Sequence, residues 1–205
     1  MTDASQGILP RKTPRQGRSL ATYEAILEAA ARILEAGGMA AFNTNLIAER
    51  AGVSIGSLYQ YFPAKEAILA ELIRNMRGQL LEDLRTAAID VEGMALEDAT
   101  EVMIRASILH HARRPELARV LEIAETVLPL EKEAQALKRE INATVVEVLS
   151  RYYVSNPEEA AQDLSAMTRA MVEVAANAGE TDFDAVLARV CRAAFGYLGI
   201  APHAP

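Results

Sequence analysis

The chain has 205 residues, 51% of them hydrophobic and 24% charged, with a net charge of −7, a balance that excludes wholesale disorder and suits one large globular domain or two small ones. Its longest uncharged runs, Ala36 to Ala48 and Ala193 to Pro205, are 13 residues, short of the roughly 18 to 20 apolar residues of a membrane span. Asp3 and Pro10 interrupt any apolar signal-peptide core, so a cytoplasmic protein is expected, and the single Cys191 excludes an intrachain disulfide or a thiolate cluster within one chain.

Charge is unevenly divided. From Arg11 to Arg77 there are nine Lys/Arg against six Asp/Glu; from Gly78 onward there are twelve against twenty-one. The basic excess gathers in Arg11, Lys12, Arg15 and Arg18. Residues 1–18 are therefore expected to form a basic, flexible arm, a composition that suits nucleic acid and equally a solvated tail.

In chain order, helical periodicity is nearly continuous and no β-branched alternation is long enough for a strand, so the fold class is all-α with about nine helices. The first helix is predicted at Ser19 to Ala36, where Tyr23, Ile26, Leu27, Ala30, Ile33 and Leu34 recur at three- and four-residue spacing before Gly37-Gly38 stops them. A short second helix, Thr44 to Ala51, ends at Gly52. A third opens on Ser54, a good N-cap, and closes near Phe62 because Pro63 restricts the residue before it. Lys65 to Ala87 is a long fourth helix. Gly93, Pro115, Pro129 and Asn156-Pro157 then separate helices expected at Ala95 to Arg113, Glu116 to Val127, Pro129 to Val154, Pro157 to Ala178 and Asp182 to Leu198.

Helices two and three, joined at Gly52, have the pattern of a helix-turn-helix, in which the second helix enters the major groove. With Ile55 set at zero and about 100° per residue, Leu58 falls at roughly 300° and Phe62 at roughly 340°, one apolar face for packing. Gln60 falls at roughly 140°, between Gly56 at roughly 100° and Ser57 at roughly 200°, and Tyr59 and Tyr61 project from the flanks at roughly 40° and 240°. A glycine on the outer face permits close approach to bases, and Gln pairs bidentately with adenine N6 and N7. The flanking tyrosines are placed to donate to phosphates, although tyrosines on a short helix are also common half-buried packing residues.

The run FNTNLIAERAGVSIGSLYQYFPAKEAIL, Phe42 to Leu69, resembles the DNA-binding region of the TetR family of transcriptional regulators. Its core pattern, IAxxAGVSxGxxYxYFxxKExL, is met at Ile47, Ala48, Ala51, Gly52, Val53, Ser54, Gly56, Tyr59, Tyr61, Phe62, Lys65, Glu66 and, after one additional residue, Leu69. The resemblance implies a DNA-binding domain over residues 19–78, with the helix-turn-helix at about 42–61. Thr44 and Asn45 would approach the sugar-phosphate backbone, Ser57 and Gln60 the bases, Ile55 and Gly56 the thymine methyls or groove floor, with the cap residue Ser54 also in the DNA-binding set. Tyr59, Tyr61 and Lys65 would hold phosphates, Lys65 aided by the free N–H groups of its helix start. Arg15 and Arg18 would lie along the backbone or in the minor groove.

Residues 79–205 would then be a helical effector-binding and dimerisation domain, with the fourth helix as lever between the two domains. The last two helices present broad apolar faces, and Leu164, Met167, Met171, Ala175, Phe183, Leu187, Val190 and Ala194 are expected to form a four-helix bundle with a second subunit, the alternative being the core of a monomer. Such a homodimer would bind double-stranded DNA at a palindromic operator. A small-molecule effector, not identified by the sequence, would lie among Met76, Leu80, Met103, Ser107, His110 and His111. His110 and His111, adjacent on one helix, are expected to point apart, so no metal ligand set is expected, and no cofactor. No P-loop, GxGxxG or HExxH pattern occurs, and the chain is expected not to be an enzyme. A homodimeric repressor released by its effector is the leading expectation; control by a protein partner and activation of transcription stay open beside it.

Overall fold

The computed structural model describes residues 7–11 and 17–200. Among these residues the chain is helical throughout, with no strand. Its helices are α1 (Gly17–Ala41), α2 (Thr44–Arg50), α3 (Ile55–Tyr61), α4 (Lys65–Asp90), α5 (Leu96–Arg113), α6 (Pro115–Glu125), α7 (Glu131–Arg151), α8 (Pro157–Asn177) and α9 (Phe183–Leu198). Breakers in the sequence end them as expected. In α1, Gly38 takes φ 58° and ψ −160°, a conformation that ends the regular turns although the last residues curl on to Ala41.

The helices divide into two compact units, residues 1–76 with 116–131, and residues 77–115 with 132–205. The division starts two residues before the expected boundary at 78, but 116–131 joins the first unit rather than the second. The reason lies on α6. Leu117, Val120, Leu121 and Ala124 follow i, i+3, i+4, i+7 spacing and sink into one core with Ile26, Ile33 and Leu34 of α1 and Ile68 and Ile73 of α4, joined by Leu128 and Leu130.

A second departure concerns the arm. Residues 7–11, expected to be loose, are packed: Ile8 is buried in the first unit's core, and its carbonyl accepts from Arg74 Nη1 at 3.1 Å. Tyr23 and Phe62 stack in that core with centroids 4.9 Å apart. Burial, and after it a hydrogen bond with Glu71, raises the Tyr23 hydroxyl well above the usual tyrosine range.

In the second unit α5, α8 and α9 surround an apolar core that includes Ile104, Ile108, Leu164, Leu187 and Val190. A neighbouring cluster joins Leu84, Ala87 and Val91 to Met103 of α5 and Val148 of α7. Arg151 Nη1 donates to the Ala88 carbonyl at 2.7 Å and the Tyr152 hydroxyl to the Val91 carbonyl at 2.8 Å. Both reach carbonyls at and just past the C-terminal end of α4, groups its own backbone leaves open. No helix among the described residues is long and apolar enough to cross a membrane.

Candidate nucleic-acid interface

Two short helices depend on their caps, because seven residues provide few internal hydrogen bonds. Asn43 caps α2, its Oδ1 accepting from the Leu46 N–H at 2.9 Å. Sequence reasoning missed this residue, though Asn directly before a helical run is a recognised start signal. Ser54 caps α3 as expected: its Oγ accepts from the Ser57 N–H at 3.1 Å and lies 2.8 Å from Ser57 Oγ. Between the helices Gly52 takes φ 67°, a left-handed turn in which a side chain would be strained.

The face that α3 buries differs from the expected one. Leu58 and Phe62 are fully buried, but Ile55 is 39% exposed and Tyr61 only 9%. Phe62 is the C-cap, with φ −124° and ψ 120°, so it has left the helix and its angle on a helical wheel has no meaning. With Leu58 and Tyr61 defining the inner side, its centre moves to roughly 270°, and the outer side to roughly 90°. Tyr61 therefore belongs to the core, edge-on to Tyr23 at 6.1 Å, and is not a free flank residue. The outer side carries Gly56, Gln60, Tyr59 and Ile55, all exposed, with Ser57 at its margin.

Two features of that side bear on its use. A Cβ built on Gly56 would meet only Ser54 Oγ, at 3.9 Å, and Gly56 does not have positive φ. Neither packing nor backbone conformation within the chain calls for glycine there. The Tyr59 hydroxyl lies 3.2 Å from Thr44 Oγ1, so hydroxyls from the first turn of α2 and from α3 bond to each other, one donating and the other keeping its proton for an outside acceptor. Asn45 and Lys65 are exposed at the starts of α2 and α4, and Arg18 is exposed in the first turn of α1. Arg15 lies outside the described residues.

Of the expected effector residues, Met76 belongs to the first unit and the others to the second. Met76 packs at the edge of the first unit's core. Leu80 and Met103 share an apolar cluster of the second unit, and Ser107 Oγ donates back to the Ile104 carbonyl at 2.7 Å. The His110 and His111 rings, expected to diverge, stand with centroids 4.2 Å apart at 42°. They occupy the last turn of α5, and rotation about their χ angles offsets the 100° between neighbouring positions. A cavity of about 490 Å³ in this unit is lined instead by residues near the α7–α8 connection, among them Tyr152, Asn156, Glu159 and Tyr197.

The residues expected at the dimer interface take part in packing within the chain itself. Leu164, Ala175, Leu187, Val190 and Ala194 are buried in the chain's own core, and Met167, Met171 and Phe183 pack against its edge. The outward residues are others: Ala166, Ala170 and Val174 on α8, with Val174 70% exposed, and Ala188 and Arg192 on α9. Apolar periodicity identified two helices with much to bury, but their first partners are each other and α5.

Residues 26–72 match the sequence profile described as bacterial regulatory proteins, tetR family. The fatty acid metabolism regulator protein of Bacillus subtilis (strain 168) is 35% identical over 78 residues, 36% of this chain and 40% of that protein. Similar folds are found in the fatty acid degradation regulator FadR of Bacillus halodurans, with a TM-score of 0.67 and 19% identity over 87% of this chain and 99% of that one. SmeT, the repressor of the Stenotrophomonas maltophilia multidrug efflux pump SmeDEF, gives 0.68 and 22% over 88% of this chain and 92% of that one. The chain thus carries the profile of the tetR family on its helix-turn-helix, within a fold that it shares over most of its length with these solved structures.

Proposed function

We propose that the protein is a homodimeric repressor that grips a palindromic operator through α3 and releases it when a small molecule binds the second unit. The observation that carries this reading is the outer side of α3. Gly56, Tyr59 and Gln60 are exposed there on a helix capped at Ser54 and held by buried Leu58 and Tyr61. Gln60 would pair with adenine, Gly56 would let the helix backbone approach the groove floor, and the Thr44 and Tyr59 hydroxyls would share a phosphate.

Dimerisation would use the outward faces of α8 and α9, whose small residues Ala166, Ala170 and Ala188 allow close helix approach. A two-fold pair of such faces gives two half-sites. An effector that binds best to a conformation with wrongly spaced recognition helices lowers operator affinity by the ratio of its two affinities, typically about 5- to 150-fold. The names of two relatives make fatty acids the first effectors to try.

The test is selection of genomic fragments by the purified protein, then footprinting. Gln60→Ala should cost about 1 to 3 kcal/mol on the selected site and relax preference at one base pair per half-site. An equal loss on all DNA would contradict base reading by Gln60.

A further inference from the structure

The last turn of α3 has a defect that the helix cannot repair. In an α-helix each carbonyl receives the N–H four residues on. The Leu58 carbonyl receives Phe62 N–H at 3.0 Å, but the Tyr59 carbonyl would need the N–H of residue 63, which is proline and has none. Arg11 supplies the missing donors. Its Nη1 reaches the Tyr59 carbonyl at 3.3 Å, and its backbone N–H reaches the Tyr61 carbonyl at 2.7 Å. The guanidinium also brings positive charge to the negative end of the helix.

We infer that Arg11 is a positioning residue for DNA reading, the end of a strap formed by residues 7–11 that closes α3 and fixes the direction of Tyr59 and Gln60. Gln60 lies between the two residues whose carbonyls Arg11 holds, so a frayed last turn would release it first. The strap is fastened at its other end by the buried Ile8 side chain and by Arg74, which donates to the Ile8 carbonyl and pairs with Glu71 at 3.3 Å. Arg11 itself is exposed, so shortening its side chain leaves the core intact. This role rests on α3 being the reading helix proposed above.

The test compares Arg11→Ala, Arg11→Gln and Gln60→Ala in the full chain with the unmodified protein, using operator affinity across a salt series and amide hydrogen exchange. Arg11→Ala, which removes the guanidinium bond to the Tyr59 carbonyl but keeps the backbone bond to Tyr61, is expected to weaken operator binding about 2- to 10-fold, the order of one lost cap hydrogen bond. The slope of affinity against salt should not change, and exchange should quicken in residues 58–62 while α1 and the start of α4 keep their protection. Arg11→Gln, which keeps a donor, should recover much of the loss. A slope lower by about one phosphate with unchanged exchange would make Arg11 a direct DNA contact instead. Faster exchange throughout the first unit would make it a general fold residue, and unchanged affinity would remove the role altogether. If Arg11→Ala is silent while Gln60→Ala alters base preference, only the strap inference fails. If Gln60→Ala leaves preference untouched, the reading role of α3 fails, and the role of Arg11 in it fails too.

Discussion

Gly56→Ala separates what the chain needs for itself from what it needs for DNA, because the two effects have opposite signs. Position 56 is the second residue of α3, and an added methyl would meet only Ser54 Oγ, at an ordinary 3.9 Å. Replacing a helical glycine without strain stabilises by about 0.4 to 1 kcal/mol, chiefly by restricting the unfolded chain. For a chain of this size that raises the melting temperature by about 1 to 4 °C. On DNA the same methyl would project from the outer side of α3 into the surface proposed to approach the bases. Forcing an extra methyl into a packed interface costs about 1 to 3 kcal/mol, or roughly 5- to 150-fold in operator affinity per half-site. Thermal unfolding and fluorescence-anisotropy titration on a footprinted operator measure the two quantities. A more stable protein that binds the operator as well as before would refute the close approach of Gly56. A less stable one would show that the space around Gly56 is not open.

Other substitutions probe the remaining parts. Tyr59→Phe keeps the ring but removes the hydroxyl beside Thr44 Oγ1, and should weaken binding to operator and unrelated DNA alike by about 1.5 to 3 kcal/mol per half-site, as for a hydrogen bond to a charged group; a changed ratio between the two DNAs would contradict a phosphate role. Val174→Asp places a charge at an exposed site of α8, and sedimentation should report monomers, with a melting temperature lowered by loss of the dimer's mass-action stabilisation, whereas persistence of the assembly would move the interface elsewhere. Burial pushes the Cys191 thiol up to about 11 from 9.0. The unfolded chain therefore ionises first, so this residue's contribution is intact below about pH 9 and declines as pH rises towards 11. Urea titrations of Cys191→Ala should lose that part of the alkaline fall in stability, and an identical pH profile would show the thiol is not protected by burial.

Local chemistry made much of this protein legible before any coordinates. Ser54 as a cap, Gly52 as a left-handed turn, and Pro63, Pro115 and Pro157 as punctuation act within four residues of themselves, so the sequence alone places α2, α3 and the separation of later helices. The outer side of α3 was nearly legible too; the error came from counting Phe62 as helical, which shifted the buried face from Tyr61 towards Ile55. What only tertiary structure decided are the pairings between distant segments. Leu187, Val190 and Ala194 form an apolar row whether they face α5 and α8 of the same chain or a second subunit, because periodicity records that a face must be buried and not by whom. The α6 row is the same case, joining the core of α1 and α4 across a long sequence separation. Ile8 and Arg11 sit in a segment too short for any periodic signal, and their value appears only where Pro63 leaves a carbonyl open, 48 residues away from the arginine that reaches it.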